Sequence, residues 1–267
     1  MKLTETLGLI GAGNMGGAIL EGLIQKKVAG PDKIWVYDKI QEKAAEFASK
    51  YRVHEAKSNQ DVAASAKILL LAVKPQDLAA TAAEFQAKLT PQHIIISILA
   101  GTPAAKVAQA AGGKAKVVRA MPNLGAKVGE SVTAFTGTDQ AALDAAEIIF
   151  SACGKTLRLK EEFFDLVTAV SGSGPAYFFL LMELLAKEGV RHGLSQKDAE
   201  LLAVQTAAGA AKLAQSAGES PAVLRERVTS KGGTTAAALK VFSERKLEEI
   251  VQQAVQAALD RGRELSK

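Results

Sequence analysis

Three glycines at fixed spacing follow the first apolar run of the chain. Residues 7–19 read LGLIGAGNMGGAI, and Gly11, Gly13 and Gly16 form the pattern G-x-G-x-x-G. Between a strand and a helix, the first glycine allows a tight turn, the second leaves room for a pyrophosphate, and the third lets helix and strand pack closely. The N–H groups at the start of the helix then attract phosphate oxygens. The segment predicts a dinucleotide site, with an ordinary glycine-rich turn as the alternative.

A second stretch capable of chemistry precedes a helical pattern near the other end of the chain. Its two glycines free the backbone, its hydroxyl groups can donate hydrogen bonds, and its lysine adds a positive charge. These features fit an anion site at a helix N-terminus, but they fit a plain helix cap equally well. The stretch consists of Ser230, Lys231, Gly232, Gly233, Thr234 and Thr235.

The sequence offers no arrangement typical of hydrolytic or metal chemistry. No Ser/His/Asp set or close carboxylate pair stands out, and the three histidines are isolated, so no metal site is expected. The single cysteine, Cys153, has no histidine near it in the sequence and favours a packing role. Hydride transfer to a protonated C=N bond needs no dedicated acid, because the hydride itself neutralises the charge. A site that works by orientation and electrostatics is compatible with this sequence.

Strand and helix patterns alternate along the first part of the chain, with short connections. Strands are predicted at 7–10, 33–38, 67–73, 93–98 and 116–119, with an added strand at 131–136 and a last strand at 156–159. The central runs are continuously apolar, which is typical of parallel strands covered on both faces. Repeated strand–helix–strand units predict an α/β, Rossmann-type doubly wound parallel sheet.

The carboxyl ends of parallel strands lie along one edge of a sheet, and ligands bind beyond that edge. Five loops are predicted there, at residues 11–16, 38–39, 72–75, 100–102 and 121–123. We expect all five loops to line one crevice.

From residue 161 onwards the strand patterns disappear, and helical periodicity rich in Ala and Leu replaces them. Roughly a hundred residues of such apolar helix are difficult to bury in one small bundle, which predicts that a second copy of the chain covers them. We therefore divide the chain into a dinucleotide-binding domain at 1–160 and an all-α substrate and dimerisation domain at 161–267.

Charge and composition narrow the function classes. The formal net charge is +5, but the basic residues are scattered among acidic ones, so a nucleic-acid partner is not expected. A mild positive field suits anionic small molecules instead. The single cysteine fits a reducing compartment, the first residues lack a signal-peptide pattern, and the longest apolar runs are too short to span a membrane. We expect a cytoplasmic protein with no membrane association.

Four stretches, taken together, resemble the pyrroline-5-carboxylate reductase family. They read IGAGNM at 10–15, LAVKPQ at 71–76, SGSGPAY at 171–177 and VTSKGGTT at 228–235, and they follow one another in the family's order. The resemblance implies reduction of 1-pyrroline-5-carboxylate to L-proline with NADPH or NADH. It also implies a Rossmann domain followed by a helical domain that forms a homodimer, with rings of dimers in some members.

The same resemblance assigns roles to individual residues. Ser230, Thr234 and Thr235 would act in catalysis, with the Thr235 hydroxyl toward the ring nitrogen, and Lys231, Gly232 and Gly233 would bind the substrate. Asp38 and Asn59 would lie at the adenine ribose, and Glu161 at a further position on the cofactor side. The other cofactor-binding residues would be Ile10, Gly11, Ala12, Gly13, Asn14 and Met15 at the pyrophosphate, Lys39 beside Asp38, and Ala72, Val73, Lys74, Pro75, Ile98 and Ala100 toward the nicotinamide.

Asp38 departs from the family pattern. Many members carry Ser, Asn or Arg after the second strand and favour NADPH, whereas here an acidic residue lies 22 positions beyond Gly16. An acidic group at this place bonds the ribose 2′-hydroxyl and repels a 2′-phosphate, although Lys39 could offset the repulsion. The cofactor preference therefore stays open. Two other functions remain as alternatives: a related Rossmann reductase of imines or hydroxyacids, and a binding protein without enzymatic activity.

Overall fold

The computed structural model describes residues 2–266 and all of their side chains except that of Ser266. The chain divides into two compact units. The first comprises the residues up to Ser173 together with the chain from Ala258 onwards, and the second comprises Gly174–Ala257. The domain boundary expected between residues 160 and 161 marks where the strand pattern ends, and it stays a prediction.

The first unit contains one eight-stranded sheet within residues 2–266. The strands are β1 Leu7–Ile10, β2 Ile34–Tyr37, β3 His54–Glu55, β4 Ile68–Leu71, β5 Ile94–Ser97, β6 Lys116–Met121, β7 Ser131–Gly137 and β8 Gly154–Arg158. Their order across the sheet is β3-β2-β1-β4-β5-β6-β7-β8, and every neighbouring pair is parallel except β6 and β7. The order reverses between β1 and β4, which makes the sheet doubly wound. The predicted fold class is confirmed.

Helices cover both faces of this sheet. They are α1 Asn14–Gln25, α2 Gln41–Tyr51, α3 Asn59–Ser65, α4 Leu78–Phe85, α5 Ala104–Ala110, α6 Gln140–Ser151 and α7 Phe164–Val167. A π-helical turn, Thr168–Gly172, follows α7 directly. The short helix α5 was not predicted from the sequence.

Strand β4 explains why the central strands are apolar throughout. Ile68 and Leu70 join the core on the side of α1 and α6, whereas Leu69 and Leu71 join the core on the side of α3, α4 and α5. Successive side chains of a strand point to opposite faces, so a strand covered on both faces buries every residue. All four residues of β4, and likewise all four of β5, are buried.

Strand β7 runs antiparallel to β6, a direction that was not specified by the sequence pattern. Only residues 122–130 connect the two strands, and a 3₁₀ turn, Leu124–Val128, occupies part of this connection. A parallel pair needs a crossover of about a dozen residues or more, so this connection permits only an antiparallel return. The 3₁₀ turn packs against α1, the helix that follows the glycine-rich loop.

In the described part of the chain, every secondary-structure element of the second unit is a helix. It contains α8 Gly174–Arg191, α9 Gln196–Ser216, α10 Pro221–Arg227, α11 Thr234–Glu244 and the first part of α12 Leu247–Ser266. Helices α8 and α9 pack through small residues: Ala186, Ala199 and Ala203 are buried, and Gly189 lies against Ala199. Small side chains let two helices approach closely.

Most large apolar side chains of α8 and α9 are exposed in the single chain. They include Phe178, Phe179, Leu180, Leu181, Leu184 and Leu185 on α8, and Leu201, Leu202, Val204 and Leu213 on α9. An apolar surface of this extent is typical of an interface. By length and composition alone, the helical stretch Glu161–Arg191 is also apolar enough to cross a membrane, which by itself is weak evidence for a membrane span.

Candidate functional site

A cavity of about 480 Å³ lies beyond the carboxyl ends of β1, β2, β4 and β5. Its walls are the segments that leave these strands. The predicted cofactor-binding residues that line it are Ile10, Gly11, Gly13, Asn14, Met15, Asp38, Lys39, Asn59, Ala72, Val73, Lys74, Pro75, Ile98 and Ala100. Six further lining residues were not selected from the sequence: Tyr37, Ile40, Lys43, Asp77, Thr81 and Leu99.

The three glycines of the first loop are needed for different reasons. Gly11 has a φ of +99°, and a Cβ there would lie 2.8 Å from the carbonyl oxygen of Ala72. A Cβ at Gly16 would overlap the carbonyl oxygen of Gly11. At Gly13, by contrast, a Cβ would meet no protein atom within 4 Å. Gly13 therefore leaves open space on the cavity side, as a bound pyrophosphate would require.

The start of α1 presents backbone donors to the cavity. Gly13 precedes the helix, and no side chain caps the helix there. The first backbone hydrogen bond of the helix is donated by the N–H of Gly17 to the oxygen of Gly13 at 2.8 Å. The N–H groups in the first turn of a helix have no partner within the helix. Because Gly13, Asn14 and Met15 line the cavity, these donors and the helix dipole favour a phosphate there.

Asp38 fixes the glycine-rich loop to the end of β2. Its carboxylate is buried, and its Oδ2 accepts a hydrogen bond from the N–H of Ala12 at 2.7 Å. Its Oδ1 accepts a hydrogen bond from the N–H of Ile40 at 2.9 Å. Ala12, which was expected at the pyrophosphate, is not among the residues that line this cavity, and its N–H donates to Asp38.

Two lysines follow Asp38, and only one of them forms an ion pair among the described residues. Lys39 Nζ lies 3.0 Å from Asp77 Oδ2, so it is paired with a carboxylate other than that of Asp38. Lys43, in the first turn of α2, lines the cavity and has no ion-pair partner in residues 2–266. Lys43 is therefore available to an anionic ligand, as is Lys74, which also lines the cavity and forms no ion pair within residues 2–266. Lys43 lies in the first turn of the helix that follows Asp38 and Lys39, and this position in the sequence could have identified it as a cavity residue.

Asn59 supplies a buried acceptor that has no protein partner. The side chain is buried, and its Nδ2 donates to Glu84 Oε2 at 2.9 Å. Its Oδ1 is buried without a hydrogen-bond partner among the described residues. Leaving such an oxygen unpaired is unfavourable, so the site fits a ligand with a hydroxyl or amine donor, such as a ribose.

Glu161 supports the loop after β5 through hydrogen bonds. Glu161 Oε1 accepts hydrogen bonds from the N–H of Ala104 at 2.7 Å and from Arg119 Nη1 at 3.2 Å. Arg119 lies on β6, its side chain is only 6% exposed, and its guanidinium stacks on the ring of Phe164. Glu161 is thus not in the cavity lining but supports the loop that carries Ile98 and Ala100.

The same loop also contacts the end of the chain. Gly101 has a φ of +65°, and a Cβ there would lie 3.2 Å from the Cβ of Leu265 at the end of α12. Thr102 closes the loop, since its N–H donates to the oxygen of Leu99 and its hydroxyl donates to the oxygen of Ala100, both at 3.3 Å. These contacts fix the backbone of the cavity wall on this side.

The expectation that five loops line one crevice is wrong for the loop at 121–123. That loop is absent from the cavity lining, whereas the other four contribute to it. The physical reason is the short return to the antiparallel strand β7. Asn123 begins the 3₁₀ turn that makes this return, and its side chain accepts a hydrogen bond from the N–H of Gly125.

The second predicted site lies in the helical unit and is described by itself. Gly232 has a φ of +72°, and the N–H of Gly233 donates to the oxygen of Ser230 at 3.0 Å. Helix α11 begins at Thr234, and Gly233 before it makes no side-chain capping bond. The threonines therefore do not cap α11, and the N–H groups of its first turn are left for an anion. Ser230, Lys231 and Thr234 are exposed, and Thr235 is half-buried.

Cys153 takes no part in these sites. The residue is buried, and burial raises the pKa of its thiol to about 11, which disfavours the reactive thiolate at neutral pH. Within residues 2–266, no three His, Cys, Asp or Glu side chains are grouped so that they could hold a metal ion.

A doubly wound sheet with an open glycine-rich turn and a cavity at its carboxyl edge defines a Rossmann-type dinucleotide-binding protein. Comparison with known families narrows this class. Residues 161–265 match the model of the pyrroline-5-carboxylate reductase dimerisation domain, and residues 6–101 match the model described as NADP oxidoreductase coenzyme F420-dependent. The pyrroline-5-carboxylate reductase of Pseudomonas aeruginosa is 40% identical over 268 residues, covering 99% of this chain and 98% of that protein. The chain belongs to the pyrroline-5-carboxylate reductase family.

Solved structures agree with this assignment. A pyrroline-5-carboxylate reductase from Coxiella burnetii has 35% sequence identity and a TM-score of 0.93, covering 99% of this chain and all of that one. The pyrroline carboxylate reductase of Plasmodium falciparum, solved with NADP bound, has 26% identity and a TM-score of 0.89, with full coverage of both chains. The resemblance stated from four sequence stretches is confirmed.

The Glu161 contacts predict a specific loss of stability. Glu161→Ala removes the acceptor for Ala104 and one partner of the buried Arg119, so we expect the free energy of unfolding to fall by about 1–3 kcal/mol. The matched control is Glu162→Ala, because Glu162 is 65% exposed and pairs with Lys160 at 4.0 Å. That control should change stability by less than about 0.5 kcal/mol. Denaturant titration measures both, and equal losses in the two variants would contradict the supporting role of Glu161.

Proposed function

We propose that this protein reduces 1-pyrroline-5-carboxylate to L-proline with NAD(P)H. The observation that carries the proposal is the open cavity at the glycine-rich loop in a chain that matches this family along its whole length. Small-molecule binding and homo-oligomer formation accompany this function. The assignment of residues 230–235 to the substrate is supported by the uncapped start of helix α11 and by the hydroxyl side chains of this stretch.

The cofactor residues divide by the group they would hold. Gly13, Asn14 and Met15 would bind the pyrophosphate through the N-terminus of α1, and Asn59 Oδ1 would accept a hydrogen bond from the adenine ribose. Val73 and its neighbours in the lining, Ala72, Lys74, Pro75, Ile98 and Ala100, would surround the nicotinamide. When bound, the reduced cofactor supplies a hydride.

The substrate residues act by orientation and charge. The N–H groups of residues 232–235 would bind the carboxylate, with Lys231 adding a positive charge nearby. The Thr235 hydroxyl would accept the N–H of the protonated ring nitrogen, with Ser230 and Thr234 offering further hydroxyl contacts. Reduction of a protonated C=N bond adds one hydride to carbon and leaves a neutral amine, so no separate acid is required from the protein.

The runner-up function is reduction of another imine or of a keto acid by a related Rossmann enzyme. An assay of NAD(P)H oxidation separates the two, with 1-pyrroline-5-carboxylate in one arm and a panel of keto acids and cyclic imines in the other. We expect rapid oxidation with 1-pyrroline-5-carboxylate. Activity restricted to keto acids would overturn the proposal.

Thr235→Ala should lower kcat with 1-pyrroline-5-carboxylate by about 10²-fold, because the hydroxyl contact with the ring nitrogen is lost at the reacting centre. Cofactor affinity, measured by fluorescence titration with NAD(P)H, should change by less than about twofold. Thr235→Ser is the matched control, since it keeps the hydroxyl and should retain most of the activity. Loss of cofactor binding in Thr235→Ala would contradict the assignment of this loop to the substrate.

Asp38→Ser should raise the kcat/KM for NADPH relative to NADH by about tenfold, because it removes the negative charge expected to repel a 2′-phosphate. Lys43 would then face the phosphate without a competing carboxylate. Asp38→Asn keeps the size of the side chain and one acceptor, and it should shift the ratio in the same direction. If both variants keep the wild-type ratio, Asp38 does not select the cofactor.

We further propose that the exposed apolar faces of α8 and α9 are covered by a second copy of the chain in a homodimer, and that dimers assemble into a ring. The match of residues 161–265 to a dimerisation domain supports a protein partner for these faces in place of lipid. A cytoplasmic location is part of the same proposal, and the single, buried cysteine is compatible with it. No nucleic-acid or membrane partner is proposed.

A further inference from the structure

One buried polar side chain of the cavity is held by a residue to which the proposed function assigns no role. Asn59 is 6% exposed and lines the cavity, and its Nδ2 donates a hydrogen bond to Glu84 Oε2 at 2.9 Å. Glu84 itself is exposed and lies outside the cavity lining. The hydrogen bond joins the first residue of α3 to the last turn of α4, and both helices belong to the first compact unit.

Both partners of this hydrogen bond lie on packed helices. Helix α3 is capped by Ser58, whose Oγ accepts a hydrogen bond from the N–H of Asp61 at 3.1 Å, and the helix packs on β1, β2 and α4. On α4, Thr81 lines the cavity and lies one turn before Glu84 on the same side of the helix. The backbone that carries each partner is therefore fixed independently of the hydrogen bond between them.

The carboxylate of Glu84 decides which way the Asn59 amide is turned. A carboxylate has no proton to donate, so it pairs with the NH₂ end of an amide and not with the oxygen end. The oxygen, Oδ1, is then the polar atom of the Asn59 side chain that is left for a ligand, and it has no hydrogen-bond partner within residues 2–266. A buried oxygen without a partner is unfavourable, so a ligand that donates a proton to it is favoured.

The position of Asn59 indicates which part of a dinucleotide it meets. Asn59 begins a helix that packs against β2, and Asp38, at the end of β2, lines the same cavity. In Rossmann-type proteins the 2′-position of the adenine ribose lies at the end of this strand. Both oxygens of Asp38 already accept backbone N–H groups, whereas Asn59 Oδ1 accepts none in the described part of the chain. Asn59 Oδ1 is thus suited to the substituent at the 2′-position.

NADH and NADPH differ at this position in the hydrogen bonds that they can form. The 2′-hydroxyl of NADH both donates and accepts, so it can pair with either end of an amide. The 2′-phosphate of NADPH offers negatively charged acceptor oxygens, which pair with N–H groups and not with a carbonyl oxygen. An Asn59 side chain that turns Oδ1 to the ligand therefore binds the hydroxyl and opposes the phosphate.

We propose that Glu84 is a positioning residue for cofactor specificity. It holds the Asn59 amide with its oxygen toward the 2′-position of the adenine ribose, and this orientation favours NADH over NADPH. Glu84 acts through Asn59 and does not itself contact the cofactor. The inference rests on the proposed NAD(P)H-dependent function. It is separate from repulsion by Asp38, because it depends on the direction of a hydrogen bond and not on a charge.

Glu84→Gln tests the direction of the Asn59 amide. The new side chain has almost the same shape, but its own amide can donate as well as accept, so Asn59 becomes free to turn its NH₂ end to the ligand. A hydroxyl can bind to both orientations, and a phosphate only to the new one. We therefore expect the affinity for NADH to stay within about twofold and the affinity for NADPH to rise about fivefold. Fluorescence titration with each reduced cofactor, without substrate, measures both dissociation constants.

Two controls separate the amide from the lost charge, since any carboxylate near the cavity repels a phosphate. Asp61→Asn is the matched control, because Asp61 is exposed, lies two positions beyond Asn59 on α3 and carries the same charge. The second control repeats Glu84→Gln in the backgrounds Asn59→Leu and Asn59→Ala, which have no amide to turn. In both controls the ratio of NADPH affinity to NADH affinity should change by less than about twofold.

The outcomes distinguish this inference from the proposed function. An unchanged affinity ratio in Glu84→Gln would overturn the inference. An equal change in Asp61→Asn, or the same change from Glu84→Gln once Asn59 is replaced, would assign the effect to charge and would also overturn it. If the wild-type protein binds both cofactors but does not reduce 1-pyrroline-5-carboxylate, the proposed function fails while the affinity ratios still decide the role of Glu84. A wild-type protein that binds neither reduced cofactor would contradict both.

Discussion

The hydrogen bond from the N–H of Ala12 to the carboxylate of Asp38 is the contact on which the cavity depends. The glycine-rich loop has too few side chains to hold its own shape, and this bond fixes it to the end of β2. The residues that follow, at the uncapped start of α1, line the cavity. In the proposed function Asp38 would combine this structural task with an electrostatic one, because a carboxylate at the end of β2 would oppose a 2′-phosphate.

The wall opposite the glycine-rich loop depends on contacts from distant parts of the chain. Glu161 and the buried Arg119 support the loop after β5, and Leu265 from α12 packs against Gly101 in that loop. The last turn of α12, which belongs to the same compact unit as this loop, therefore packs against it. Substitutions far from the cavity in sequence can alter its shape through these contacts, while the glycine-rich loop itself stays unchanged.

Much of the fold could be predicted from periodicity, because the central strands are apolar on both faces and their helices are short and regular. The direction of β7 could not, since it follows from the length of the connection after Met121. Most cavity residues were found because strand ends converge on one edge. The hydrogen bond from the N–H of Ala12 to Asp38 could not be predicted, because the two residues are 26 positions apart in the chain. Lys43 was missed because its free charge is apparent only once Lys39 is seen to pair with Asp77.

The central claim is that this chain transfers a hydride from a bound nicotinamide to the C=N carbon of 1-pyrroline-5-carboxylate. Incubation with NAD(P)H carrying deuterium at the transferable C4 position, followed by mass spectrometry of the product, tests this directly. The account predicts proline with one deuterium at C5, the carbon of the original C=N bond. Proline without label, label at another carbon, or no proline at all would contradict it.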